Sequence, residues 1–194
     1  LAKTSAQHSE LPTDQSSRQQ QPTINWLQVP FETVPIEVQP TTLFDLMAPV
    51  HGIARALTDS PNATDRMQLY GLGVYQTPRL ERVQAPIRAK IIAISEDGCH
   101  WQFALNKHLR MHLFVHVHSP LPRASWTLRA GDIVDAGTEL MRISTSAMRQ
   151  QPIVMTCVEQ AAGQAIVRYA ASAMIGNLSA AQDRIIRIYQ PLER

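Results

Sequence analysis

Cysteine, concentrated charge and long apolar runs are all scarce in this chain of 194 residues, and each scarcity closes a class of function. Only two cysteines occur, Cys99 and Cys157, and they form no CxxC pair. Neither a disulfide framework nor a zinc ribbon is expected; two free thiols in a reducing compartment are. The 18 basic and 16 acidic side chains leave a formal net charge of +2, and the Lys and Arg residues are scattered along the chain. That gives no electrostatic footprint for nucleic acid. No apolar run approaches the ~20 residues that span a bilayer, so no direct membrane insertion is expected. No signal peptide is legible after Leu1, and a cytoplasmic location is the expectation. Aromatic residues make up 6%, and Trp101 and Trp126 read as core or rim residues, not as stacking platforms. Hydrophobic content is ordinary at 44%, enough for one well-buried domain.

Three segments follow from composition. Residues 1–24 are a polar tail rich in Gln, Ser and Thr, with too few large apolar side chains to offset the entropy of ordering, so a disordered or linker tail is expected. Residues 25–42 bring Trp26, Leu27, Val29, Phe31 and Val34, interrupted by Pro30, Pro35 and Pro40. They read as an extended edge segment. Residues 43–194 carry the pattern of an all-β domain. Short apolar runs recur at Leu72–Val74, Ala89–Ile94, Trp101–Leu105, Leu113–Val117, Leu140–Ile143, Ile153–Cys157 and Ile185–Ile188, punctuated by Gly, Pro, Asp and Asn. One stretch departs from it. Glu159–Ser172 is Ala-rich, with Ala162, Ile166 and Tyr169 near helical spacing, and predicts a short helix capping one end of the domain.

Two further patterns stand out. Ala48-Pro49-Val50 and Ala85-Pro86-Ile87 each open an apolar run, a weak internal echo. Gly131 and Gly137 bracket a turn in Gly131-Asp-Ile-Val-Asp-Ala-Gly137 that calls for positive φ. The densest chemistry lies in Met111-His-Leu-Phe-Val-His-Val-His118. Read as a strand, its alternation puts His112, Phe114, His116 and His118 on one face and Leu113, Val115 and Val117 on the core face. Histidine near neutral pH can serve as nucleophile, base or metal ligand.

In order, Ala48-Pro-Val-His-Gly52, Pro61, Gly71-Leu-Gly73, Ala85-Pro86, His100, Leu113-Phe-Val-His116 and Gly131–Gly137 resemble the glucose-type enzyme IIA of the bacterial phosphoenolpyruvate-dependent sugar phosphotransferase system. The likeness covers roughly residues 46–158 and runs more loosely to Arg184–Ile188. It implies a flattened β-sandwich or barrel built from a duplicated hybrid motif. It also implies a facing histidine pair in which His116 accepts the phosphoryl group and His100 stabilises it. The donor would be the phosphocarrier protein HPr and the acceptor a sugar permease IIB domain, with no cofactor required. An imidazole suits that role because it is unprotonated near pH 7 without a base to activate it.

The chain also differs from the family. Val117-His-Ser-Pro120 follows His116 where the family has Phe-Gly-Ile-Asp, so the acidic residue is missing. Pro61–Arg66 is polar where the family exposes apolar docking residues. These differences keep open a regulatory or binding module on the same scaffold that has lost phosphotransfer. Adventitious zinc on His100, His116 and His118 is a further possibility. The pair His116-Val-His118 also resembles half of the zinc site of LytM-like peptidases. The Asp expected four residues after the upstream His is absent, since Ala104 follows His100 and Arg55 follows His51 at that spacing. His8, His51 and His108 have no supporting context, and His112 and His118 have no assigned role.

Overall fold

The computed structural model describes residues 23–27, 41–118, 126–162 and 169–190, with backbone only for 23–27. Residues 1–22 of the tail expected over 1–24, most of the edge segment expected over 25–42, and Ser119-Pro120 lie outside the described residues. In chain order the first strands are β1 (Thr23–Leu27), β2 (Thr42–Met47), β3 (Gly52–Ala56), β4 (Leu72–Pro78), β5 (Arg82–Gln84), β6 (Ala89–Ile94) and β7 (His100–Ala104). They continue with β8 (Leu109–His116), β9 (Ile133–Val134), β10 (Glu139–Arg142), β11 (Ile153–Gln160), β12 (Tyr169–Ala173), β13 (Gly176–Leu178) and β14 (Arg184–Tyr189). Two one-turn helices, α1 (Ala63–Arg66) and α2 (Thr145–Met148), and a 3-10 turn at Leu57–Asp59 complete the described elements. Among the described residues no helix is long and apolar enough to cross a membrane.

The fold is all-β, as the punctuated apolar runs imply, and each of the seven runs falls on a strand, three of them (ending at Leu105, Val117 and Ile143) passing its end by one residue. An eight-stranded sheet has the order β13-β3-β4-β11-β8-β7-β6-β9, a four-stranded sheet the order β1-β12-β14-β2, and β10 pairs with β5. The sheets stay open and do not close into a barrel. Their inner faces share one core. β8 contributes Leu109, Met111, Leu113 and Val115, β7 contributes Trp101 and Phe103, β11 contributes Val154 and Val158, and β14 contributes Ile185, Ile186 and Ile188, all buried. The Trp101 indole donates to Gly98 O at 2.8 Å, which satisfies its one polar atom inside the core.

The helix expected over 159–172 is not there at either end. Glu159 and Gln160 close β11, and Tyr169–Ala173 form β12. Residues 163–168 lie outside the described residues. Tyr169, Ala171 and Ala173 alternate into the core, while β12 is paired on both sides by β1 and β14. Alanine's helix preference is worth well under 1 kcal/mol per residue, and two neighbouring strands supply far more.

The internal echo is real in three dimensions. Gln84 N donates to Pro49 O at 2.8 Å, and Met47 N donates to Pro86 O at 2.7 Å, so the two Ala-Pro segments cross reciprocally. Ala48 N donates to Asp183 O while Ala181 N donates back to Ala48 O. Ala85 N donates to Thr138 O while Gly137 N donates back to Ala85 O. The turn at Gly137 (φ 82°) therefore has a counterpart at Ala181 (φ 55°), whose sequence hides it because alanine replaces glycine at a left-handed position.

Gly71 leads into β4 at φ 86°, and a Cβ there would run into the carbonyl oxygen of Val158 on β11. Gly71→Ala is expected to cost about 2 kcal/mol or more, because left-handed strain alone is worth roughly 1–2 kcal/mol and the backbone contact adds to it. A shift of the urea unfolding midpoint at constant slope measures it.

Candidate functional site

The site lies on the outer face of β7, β8 and β11, the face that burial of the inner side chains leaves over. In the register, His100 on β7 stands opposite Phe114 on β8. His100 is therefore diagonal to both His112 and His116, and pairing alone does not choose between them. The structure chooses His112. His100 Nε2 lies 2.9 Å from His112 Nδ1, and His112 Nε2 lies 2.8 Å from Glu159 Oε1 at the end of β11. His112 is 3% exposed, so both nitrogens of a buried imidazole are partnered. His100 and His116, expected to face each other, do not hydrogen-bond. The Phe114 ring contacts both, at centroid distances of 4.0 Å to His100 and 6.0 Å to His116, nearly parallel to each.

His116 has its own carboxyl partner. Its Nε2 is buried and lies 3.4 Å from Asp65 Oδ1, a close charge contact without hydrogen-bond geometry. Asp65 sits in α1, is buried, and accepts from Ser60 Oγ at 2.8 Å on its other oxygen. The loop that carries it is locally built. Asn62 caps α1 by accepting from Thr64 N, and Arg66 Nη1 donates to Ser60 O and Pro61 O. The polar run Pro61–Arg66 is thus the scaffold of Asp65. Exposed apolar side chains follow at once, with Met67 69% and Leu69 62% exposed. Tyr70 leans over the histidines, its ring centroid 4.6 Å from Phe114, 5.5 Å from His112 and 6.0 Å from His100. Below them Leu57, Tyr75, Met155 and Cys157 form a small buried cluster against Phe114 and Ile153. Tyr75 Oη donates to Asp59 O, which pins the Leu57–Asp59 turn onto the sheet.

Burial, with the charge on His112 second, holds His100 down to about 4. Asp97 and Glu159 oppose this. Burial, with Asp97 second, raises the Cys99 thiol to about 11, and burial drives the Cys157 thiol higher still. Both cysteines are free, as expected. His118 lies exposed beyond the end of β8. Among the described residues no three His, Cys, Asp or Glu side chains are grouped to hold a metal ion, so the set His100, His116 and His118 is not assembled as one.

Four contributors escape sequence reading. His112 shares a strand face with His116, and that was the available signal. Glu159 is hidden by the helix expectation, Asp65 by its polar loop, and Tyr70 by its place before Gly71.

Two outcomes follow. His100 is a base held below its ordinary 6.5, so the unfolded chain binds a proton that the folded chain refuses. Its contribution to stability is complete above pH 6.5 and is lost as pH falls towards about 4. Urea unfolding between those pH values should show that decline, and His100→Gln should flatten it. Both thiols should alkylate far more slowly at pH 8 than a free thiol, and at the rate of the unfolded chain once urea is added.

No protein-family profile and no curated protein matches this sequence. Among solved structures, the chain is similar to the glucose permease IIA from Mycoplasma capricolum, with a TM-score of 0.57 and 15% sequence identity. The similarity covers 74% of this chain and 94% of that one. It shows a shared fold.

Proposed function

We propose that this chain is a cytoplasmic phosphocarrier of the sugar phosphotransferase type, which accepts a phosphoryl group on His116 from HPr and passes it to a sugar permease IIB domain. One observation carries the reading: the motif Leu113-Phe-Val-His116 lies on a central strand of a fold shared with a glucose permease IIA, with Leu113 and Val115 in the core and Phe114 and His116 on the outer face. Nε2 of His116 is buried beside Asp65, so Nδ1 is the nitrogen that a donor reaches. The Nδ1 lone pair forms the new N–P bond as the donor's N–P bond breaks, and the departing nitrogen keeps its electron pair. The hydrogen stays on Nε2, where Asp65 accepts the positive character that develops on the ring. Asp65 thereby fills, from a different element, the place of the acidic residue missing after His116. Met67, Leu69 and Tyr70 offer the apolar rim against which a partner docks.

A second reading, a binding module without transfer, draws on the direction of His100, which is bonded to His112 and not to His116. Incubation with phosphoenolpyruvate, enzyme I and HPr separates the two. The carrier gives an acid-labile phosphoryl adduct by mass, lost in His116→Ala and reduced in Asp65→Asn. Absence of any adduct with competent HPr overturns the carrier reading.

A further inference from the structure

The hydrogen bonds of Glu159, His112 and His100 form a line whose direction is set by chemistry. A carboxylate only accepts. Glu159 Oε1 therefore takes the hydrogen of His112 Nε2. A neutral His112 then presents a bare Nδ1, which can only accept, so the hydrogen between the two rings belongs to His100 Nε2. His100 in turn is left with a bare Nδ1, which has no partner among the described residues. In this state His100 offers a lone pair outward and has nothing to donate.

One added proton reverses the line. It binds at His100 Nδ1 while the Nε2 hydrogen passes to His112 Nδ1. His112 becomes an imidazolium that donates to Glu159 on one side and to His100 Nε2 on the other. His100 is neutral before and after, but its hydrogen has moved from Nε2 to Nδ1. The balance is one proton in and none out, with no heavy atom moved.

We propose that Glu159 and His112 are positioning residues forming a proton relay, which sets the tautomer of His100 so that His100 Nδ1 donates to a phosphoryl oxygen only when one proton has entered the line. The relay itself is independent of function; only the phosphoryl ligand rests on the phosphocarrier reading. Three observations carry it: two hydrogen bonds of 2.9 and 2.8 Å in series, burial of the middle ring, and Tyr70 covering it. The depressed proton affinity of His100, caused first by burial, fits, since it disfavours a charge held on His100 itself. The surrounding groups are accounted for. Asp97 lies in the turn before β7 and acts on His100. Arg110 stands opposite Glu159, and Cys157 opposite His112, where it stays an uncharged thiol. Tyr70 packs from above, and His116 is occupied by Asp65.

The test is nitrogen-15 NMR of the imidazole rings of the full chain across pH, on wild type and Glu159→Gln. At pH 8 wild type should show both His100 and His112 with hydrogen on Nε2. On acidification His112 should become doubly protonated while His100 shifts to the Nδ1 hydrogen. Glu159→Gln keeps an acceptor but loses the charge. The same tautomers should persist at pH 8, with the switch moved down by roughly one pH unit or more. Hydrogen on His100 Nδ1 at pH 8 in wild type, or a switch unmoved in Glu159→Gln, overturns the relay. The wild-type spectrum decides alone should the variant not fold. In the HPr assay, Glu159→Gln should slow phosphorylation increasingly as pH rises. If the NMR switch appears and wild type takes no phosphoryl group, the carrier reading fails and the relay stands. If wild type is phosphorylated without the switch, the reverse holds.

Discussion

The register of β8 is the constraint on which the rest of the molecule depends. Leu109, Met111, Leu113 and Val115 fill the inner face at 0–1% exposure. Burying each is worth roughly 1.5–3 kcal/mol. A slip by one residue would exchange all four for Arg110, His112, Phe114 and His116, forfeiting an amount comparable with the ~5–15 kcal/mol stability of a whole domain. The histidines therefore need no stabilising role of their own to be held outward at two-residue intervals. The same register places Cys157 and Met155 of β11 beside His112 and Phe114, and His100 of β7 opposite Phe114.

What turns an outer face into a chemical site is the partial removal of water from it. Leu57, Tyr75 and Met155 pack against Phe114, and the Tyr70 ring lies against it as well. In that setting an unpartnered imidazole nitrogen is costly, and the structure answers by giving His112 a partner at each end. The carboxyl groups come from elements far apart in sequence, Asp65 from α1 and Glu159 from β11. Each stands behind its histidine, and the Phe114 ring stacks between the two systems.

The sequence made the strands legible because one face of each is buried, and period-two burial writes itself into composition. It made the turns at Gly131 and Gly137 legible because positive φ selects glycine, and it concealed the matching turn at Ala181 because that selection was not used. β12 was misread because alanine's local preference for helix competes with strand pairing on both sides, to the nearby β14 and to β1, more than a hundred positions away. The histidine cluster was legible as a strand face, but its wiring was not. His100 is diagonal to His112 and to His116 alike, and only the side-chain hydrogen bonds distinguish them. Asp65 and Glu159 were invisible as partners of histidine because no spacing rule links residues brought together by tertiary packing, Glu159 through sheet register and Asp65 through the loop that carries α1.

The two histidine systems also answer a question of charge. The phosphoryl group proposed for this site would bring negative charge to a place already backed by two carboxyl groups, with Arg110 opposite Glu159 on the same strand face. A bare arrangement of that kind repels such a ligand. Under the proposed relay the imidazole of His100 changes the balance, because one proton entering the line turns its outward nitrogen into a donor while Glu159 stands behind His112. Proton uptake and phosphoryl binding would then be favourable together and unfavourable apart. Asp65 in α1 beside His116 and Glu159 in β11 beside His112 are then two parts of a single electrostatic arrangement. Such an arrangement would replace fixed positive charge at the surface with a proton drawn in as an anionic ligand arrives.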